Sequence, residues 1–167
     1  MAEWKGVDVL AEASDLLDDA LVVFVGGTEH DLLRFKEKQK HRPNLLILGQ
    51  KSHAEIPLYL KSADVLVIPN SSKESISRLY TSPMKLFEYM ASGVSIVASD
   101  LPSLREVLSE ENAVVVSPDN ARLLAEGIVK VLTNPAFSEK IARGAQALVQ
   151  NYTWEKRAEC IINFVRS

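Results

Sequence analysis

Short apolar runs alternate with stretches of helical periodicity along this chain. Each run is rich in Val, Ile or Leu and bounded by Gly, Pro, Asn or Ser, which is typical of strands buried on both faces. The predicted strands are 21–25, 45–48, 64–68, 94–98 and 113–116. The predicted helices are 6–18, 29–41, 53–62, 83–92, 102–109, 120–132, 135–150 and 153–166. This alternation predicts an α/β fold, a doubly wound Rossmann-like parallel sheet with flanking helices.

The start of the chain departs from the usual order of such a fold. A doubly wound domain normally begins with a central strand, whereas the first element predicted here is a helix. No residue before Gly6 has a strand pattern. We therefore predict that the first strand is missing. Either the sequence is a fragment, or a strand from elsewhere completes the sheet.

Composition limits the classes of function. The 167 residues suit a single domain over 1–167, and a net charge of -3 without a long run of one sign argues against a nucleic-acid-binding surface. The one cysteine, Cys160, suits a reducing compartment, and its place in an apolar helical pattern predicts a buried side chain. No apolar run reaches the length of a membrane span, and the N-terminus lacks the apolar core of a signal peptide. A cytoplasmic location is expected, with peripheral membrane association of a longer protein left open.

The segment 82–93 carries the most chemical information. Ser82 suits an N-cap, Pro83 the first helical position and Gly93 a C-terminal stop. Lys85 and Glu88 fall on one side of this helix. The apolar residues share the opposite face: Leu86, Phe87, Met90 and Ala91.

The N-terminus of this helix is a candidate anion site. Free backbone N–H groups and the helix dipole favour a phosphate there, with Met84, Lys85 and the Ser82 hydroxyl as donors. Glu88 lies about 9 Å along the axis from Ser82, where a carboxylate would accept hydrogen bonds from two ribose hydroxyls. The alternative is a surface Lys85/Glu88 pair with no ligand. The residues alone leave both interpretations open.

Several short motifs occur in an order and spacing that is specific as a set. They are Lys5-Gly6-Val7-Asp8, 23–27, Leu48-Gly49-Gln50, Ser62-Ala63-Asp64-Val65 with Ile68-Pro69, Ala91-Ser92-Gly93, Ala98-Ser99-Asp100 and Tyr152-Thr153-Trp154. Together with segment 82–93 they resemble the C-terminal, donor-binding domain of retaining GT-B glycosyltransferases, especially glycosyltransferase family 4 (group 1). The resemblance covers nearly the whole chain.

The resemblance implies roles for individual residues. Lys5 matches a catalytic lysine that pairs with the donor diphosphate, and the backbone at Met84 and Lys85 matches the phosphate-binding turn. Glu88 matches the second glutamate of the family's Glu-x7-Glu motif, which holds the ribose. Gln50 with Lys51 matches the loop that lies along the nucleobase.

Other positions match the family less well. Tyr80 stands where the first glutamate of the Glu-x7-Glu motif would be, near the donor sugar. Glu74, in the loop 70–81, is an alternative acid for that place, and a solvated loop acid is the simpler interpretation. Gly27 follows the first predicted strand and serves either a phosphate turn or an ordinary strand-to-helix turn. His53 lies near the expected base site or simply on the surface.

The resemblance implies an enzyme that moves a sugar from a nucleoside diphosphate sugar to an acceptor, with retention, in glycan or polysaccharide biosynthesis. It implies no cofactor and no required metal. The acceptor site would belong to an N-terminal domain that this sequence lacks, so the chain alone would be incomplete. Two alternatives stay open: a non-catalytic or truncated nucleotide-binding module, and one half of a GT-B-type sugar nucleotide epimerase or hydrolase.

Overall fold

A computed structural model of the chain describes residues 3–81 and 84–166. The strands of this part are β1 (Val22–Val25), β2 (Leu45–Leu48), β3 (Leu66–Ile68), β4 (Ile96–Ser99) and β5 (Val114–Val116). The helices are α1 (Val7–Ser14), α2 (Glu29–Gln39), α3 (Ile56–Lys61), α4 (Met84–Ser92), α5 (Pro102–Arg105), α6 (Ala121–Leu132), α7 (Pro135–Val149) and α8 (Trp154–Arg166). A 3₁₀ turn at Glu3–Lys5 and a π turn at Ile76–Tyr80 complete the elements. The predicted α/β order is confirmed.

The strands are all parallel and form two small sheets. β1 pairs with β2, and β3, β4 and β5 pair in that order. Within the described residues, β1 and β3 each pair with one strand only. The first strand of a doubly wound sheet is central and has a neighbour on each side. A missing first strand between β1 and β3 is consistent with this division into two sheets.

Helices cover both faces of the three-stranded sheet. Val97 of β4 packs into a core cluster with α1 and α6, and its neighbours Ile96 and Ala98 pack into a second cluster with α4 and α7. Successive strand residues point to opposite faces, so two helical layers enclose β4. All four residues of β4 are buried. A continuous apolar strand of this kind is what the sequence pattern predicted.

The π turn Ile76–Tyr80 is an element that the sequence did not predict. Ser77 within it is buried, its hydroxyl donates to the Trp4 carbonyl at 3.3 Å, and its own carbonyl accepts from the Ser103 hydroxyl at 2.8 Å. One turn is too short to produce a helical period in the sequence. The predicted loop 70–81 is therefore partly ordered against the N-terminal turn and α5.

Cys160 contradicts its prediction, because it is exposed. It lies in α8, which has no buried residue although its sequence is amphipathic. An apolar face predicts a contact but does not supply the element that covers it. The segment preceding α8 contacts α4, where the rings of Tyr152 and Phe87 are 5.1 Å apart.

In the described ranges, no helix combines the length and the apolar character needed to cross a membrane.

Candidate functional site

The loops that follow β1, β2 and β3 leave the sheets at their carboxyl ends, where open α/β sheets bind ligands. Gly26 after β1 donates its N–H to the Gly49 carbonyl after β2 at 3.2 Å, so these two loops are neighbours. Asn70 follows β3 after one proline and begins the loop that leads to α4. The predicted site residues lie on these loops, on α4 and on the N-terminal 3₁₀ turn.

The N-terminal 3₁₀ turn is fixed against the loop after β3. The Trp4 carbonyl accepts hydrogen bonds from the Ser71 N–H at 2.9 Å and from the Ser77 hydroxyl at 3.3 Å. Gly6 has a φ of 66° and is buried against Pro69. A residue between two such anchors has a defined position, so Lys5 is held beside the loop although its side chain is exposed.

Lys85 lies in the first turn of α4 and points inward. Its Nζ is 3.3 Å from Asn70 Oδ1. Burial and, as the smaller cause, the positive charge of Lys5 together lower the pKa of Lys85 from 10.5 to about 8. Lys5 and Lys85 are therefore close enough for their charges to interact. The alternative of a surface Lys85/Glu88 pair is wrong for the geometry, since Lys85 is largely buried and contacts Asn70 instead.

Glu88 lies on α4 beside α3. Its side chain is 35% exposed, and its Oε1 is 3.9 Å from Nε2 of His53. A cavity of about 240 Å³ lies between the two helices. Its walls are formed by His53, Ile56, Pro57, Leu60, Lys61, Glu88, Ala91 and Ser92. A half-exposed carboxylate at an apolar cleft has free acceptor oxygens for hydroxyl groups, as the ribose role requires.

The other predicted residues are distributed around this site. Gln50 is exposed after β2, and Lys51 Nζ is 5.8 Å from the ring centroid of Tyr59 on α3. Gly27 follows β1 with a φ of 102°, a conformation that glycine adopts readily in either kind of turn. His53 is exposed except for its approach to Glu88.

The start of α4 is described from Met84 onward. Ser82 and Pro83, the predicted N-cap and first helical residue, lie outside the described residues. Met84 is the first described residue of α4 and is exposed. Tyr80 ends the π turn with 76% of its surface exposed, and Glu74 is also exposed. Their roles at the sugar remain predictions, as do the roles of the other site residues. The predicted stop of α4 at Gly93 is confirmed by its φ of 76°.

Sequence reasoning missed Asn70 and Asp119. Asn70 is fully buried, and its Nδ2 has no partner among the described residues. Asp119 connects the loop after β5 to the loop after β3, because its Oδ2 accepts from the N–H of Ser72 at 2.9 Å and from the Ser72 hydroxyl at 2.7 Å. Burial acts to raise the pKa of Asp119, but hydrogen bonds from Ser71 and Ser72 outweigh it and hold the pKa below 3.8. The position of both residues just after strands was the available signal.

A second cavity, of about 460 Å³, lies away from these residues. It is formed by the start of β4 and by α7, with Ser95, Ser138, Arg143 and Gln146 in its wall. The start of a parallel strand is the edge opposite to its carboxyl end, and no predicted site residue contributes to this cavity. The larger of these two cavities therefore does not coincide with the predicted site residues.

Comparison with known proteins assigns most of the chain to the family that its sequence motifs resemble. The family described as "Glycosyl transferases group 1" matches residues 1–148. A phosphatidyl-myo-inositol mannosyltransferase of Mycobacterium tuberculosis is 32% identical over 161 residues, which is 93% of this chain and 41% of that relative. The chain thus spans less than half the length of this curated relative.

Solved structures share the fold. Alr3699/HepE of Anabaena, in complex with UDP, has a TM-score of 0.83 at 20% identity and covers 99% of this chain and 46% of its own. Sucrose-phosphate synthase of Thermosynechococcus elongatus has a TM-score of 0.82 at 22% identity, over 99% of this chain and 42% of its own. The chain belongs to the group 1 glycosyl transferases, and its α/β fold matches one part of the larger chains of this kind.

Proposed function

We propose that this chain binds the nucleoside diphosphate part of a sugar nucleotide, as the donor-binding domain of a glycosyltransferase. The observation that carries the proposal is the arrangement around α4. Two lysines, Lys5 and Lys85, lie at its first turn, and Glu88 lies one turn further along. Positive charge followed by a carboxylate at this spacing suits a diphosphate followed by a ribose.

The proposed chemistry is departure of the nucleoside diphosphate. The bond between the anomeric carbon and the diphosphate oxygen breaks, and its electron pair stays on the diphosphate. An acceptor hydroxyl oxygen forms the new bond to the anomeric carbon, and the hydroxyl proton passes to the departing diphosphate. Lys5 and the N–H groups at Met84 and Lys85 stabilise that charge from fixed positions, so little reorganisation is needed during the reaction. Glu88 orients the donor through the ribose, and Gln50 with Lys51 lies along the base.

The acceptor chemistry belongs to the rest of a longer protein under this proposal. The chain spans 41% of the mannosyltransferase it matches, which supports placing the acceptor site outside these residues. We place the acceptor in a second domain that closes over the donor and excludes water. Retention, a role in glycan or polysaccharide biosynthesis and a cytoplasmic location are further parts of the proposal. The complex of the Anabaena protein with UDP supports a nucleotide as ligand.

A non-catalytic nucleotide-binding module is the second candidate. Tyr80 favours it, because an exposed phenol stands where the family has a carboxylate. Such a module would bind nucleotide without cleaving the sugar. Glu88 and the lysines would have the same roles in both cases.

Calorimetric titration with UDP, GDP and ADP tests the proposed ligand. We expect one of them to bind, and Glu88→Ala to weaken it by about tenfold or more (about 1.4 kcal/mol). Glu159→Ala removes an exposed carboxylate of α8 and serves as the matched control. Absence of binding by all three nucleotides, or equal loss in both variants, would contradict the proposal.

A further inference from the structure

The buried amide of Asn70 has an unmet hydrogen-bond donor. Its Oδ1 faces the Lys85 ammonium at 3.3 Å, and a lysine ammonium only donates. The amide is therefore fixed in one orientation, because the opposite one would set Nδ2 against that ammonium. Nδ2 is left without a partner among the described residues, although Asn70 is fully buried. A buried donor of this kind is costly unless an acceptor binds it.

Among the described residues, Lys85 has no counterion beside Asn70. The influences on its charge are burial and a second cation, Lys5, and in the described residues no carboxylate forms an ion pair with it. Glu88 on the same helix is directed to His53 on the α3 side. A largely buried ammonium next to another cation is unfavourable without an anion. Asn70 and Lys85 therefore have the same requirement, a negatively charged acceptor.

We propose that the Lys85 ammonium and Asn70 Nδ2 bind the diphosphate of the donor directly through their side chains, on the buried side of the site. The inference rests on the proposed function and adds two side chains to it. Lys5 contacts the same diphosphate from the exposed side. The anion compensates two cations and satisfies the Asn70 donor, whereas a bound water would satisfy Asn70 alone.

Asn70 has a second role in this arrangement. By accepting from Lys85 it holds the ammonium near the end of β3, and by donating from Nδ2 it contacts the anion itself. A carboxylate at position 70 would still accept from Lys85 but would repel a diphosphate. Asn70→Asp therefore separates support of Lys85 from binding of the anion.

The test compares a nucleoside diphosphate, the matching nucleoside and inorganic pyrophosphate by calorimetry on the full 167-residue chain. Lys85→Met keeps the length of the side chain without its charge, and Lys36→Met removes an exposed lysine of α2 as the control. We expect Lys85→Met and Asn70→Asp each to weaken binding of the nucleoside diphosphate and of pyrophosphate by about tenfold or more. The nucleoside should bind within about twofold of its wild-type affinity in every variant.

Folding is checked by thermal unfolding of each variant. Asn70→Asp should melt at or above the wild-type temperature, because its carboxylate pairs with Lys85, so lost binding cannot be lost folding. Wild-type-like binding of both anions by Lys85→Met and Asn70→Asp would overturn the inference and indicate that water occupies the place. Binding of pyrophosphate but of no nucleotide would refute the proposed function while supporting these two side chains. Failure of the wild type to bind either would overturn both.

Discussion

A side-chain carbon at Gly6 would lie 1.6 Å from the carbonyl oxygen of Pro69. The backbone of the N-terminal turn thus lies directly on the end of β3, and only a residue without a side chain fits there. The two neighbouring residues depend on this approach, because Trp4 receives hydrogen bonds from the loop and Lys5 is held beside it. Gly6 is in this sense part of the candidate site.

Gly6→Ala should be strongly destabilising. The substitution combines a φ of 66° with a collision against backbone atoms, and we expect a loss of about 3 kcal/mol or more in the free energy of unfolding. Urea denaturation measures it. Gly26→Ala is the control, since Gly26 also has a positive φ but open space around it.

Comparing the two glycine variants separates the effect of the contact between Gly6 and Pro69 from the effect of the backbone conformation. If both glycine variants lose the same free energy, the backbone conformation alone is responsible and the contact with Pro69 is unimportant. A larger loss for Gly6→Ala supports the contact. Nucleotide affinity of that variant should fall as well, because the position of Lys5 changes.

Lys85 should make stability depend on pH in alkaline solution. Its pKa is about 8 in the folded chain and 10.5 as an ordinary lysine, so the unfolded chain binds more protons between these values. The free energy of unfolding should therefore rise with pH from about 8 to 10.5, by roughly 1 to 3 kcal/mol from this group.

Lys85→Met is the comparison for that pH series, because other groups titrate in the same range. The free energy of unfolding is measured by urea denaturation at each pH. Near neutral pH it should be higher for the variant than for the wild type, and this difference should shrink above pH 8. A difference that is constant with pH would show that Lys85 is not buried as a cation.

Asp119 should stabilise the loop after β3. Asp119→Ala removes both hydrogen bonds to Ser72 and places alanine at a φ of 57°, so we expect a loss of about 1 to 3 kcal/mol. Asp119→Asn should lose less, since asparagine still accepts a hydrogen bond and tolerates this conformation. Because the folded pKa lies below 3.8, the contribution is present above that value and is lost as the pH falls through the folded pKa. Denaturation at neutral and acid pH checks both parts.

Tyr80 should affect the sugar rather than the nucleotide. If its phenol contacts the donor sugar, Tyr80→Phe weakens binding of the sugar nucleotide by a few-fold and leaves the affinity for the nucleoside diphosphate unchanged. Glu74→Gln, in the same loop, is measured beside it. An effect of Glu74→Gln on the sugar nucleotide with none for Tyr80→Phe would transfer the role to Glu74.

The sequence predicted the order of elements well because buried parallel strands are continuous apolar runs. β1, β2 and β5 lie within one residue of their predicted bounds. β4 begins at Ile96, two residues later than predicted, because its pairing with β3 has Ile96 opposite Leu66. The division into two sheets has no local signal, since it depends on which strands become neighbours.

The candidate site was predicted less completely. Helix periodicity set Lys85 on the polar side of α4, but it could not show that the loop after β3 would cover that side and bury the lysine beside Asn70. The exposure of Cys160 is the converse case, an apolar pattern without a covering element. Contacts between distant segments decided both outcomes.

Amide NMR shifts of the labelled chain, recorded with saturating UDP, GDP or ADP, show directly where a nucleotide binds. We expect the nucleotide that binds to perturb the amides of Asn70, Met84 and Lys85, together with those of Glu88 and the loop after β2. Amides around the other cavity, such as Ser138 and Arg143, should stay unchanged. Shifts confined to that second cavity, or none with any nucleotide, would contradict a donor site at the first turn of α4.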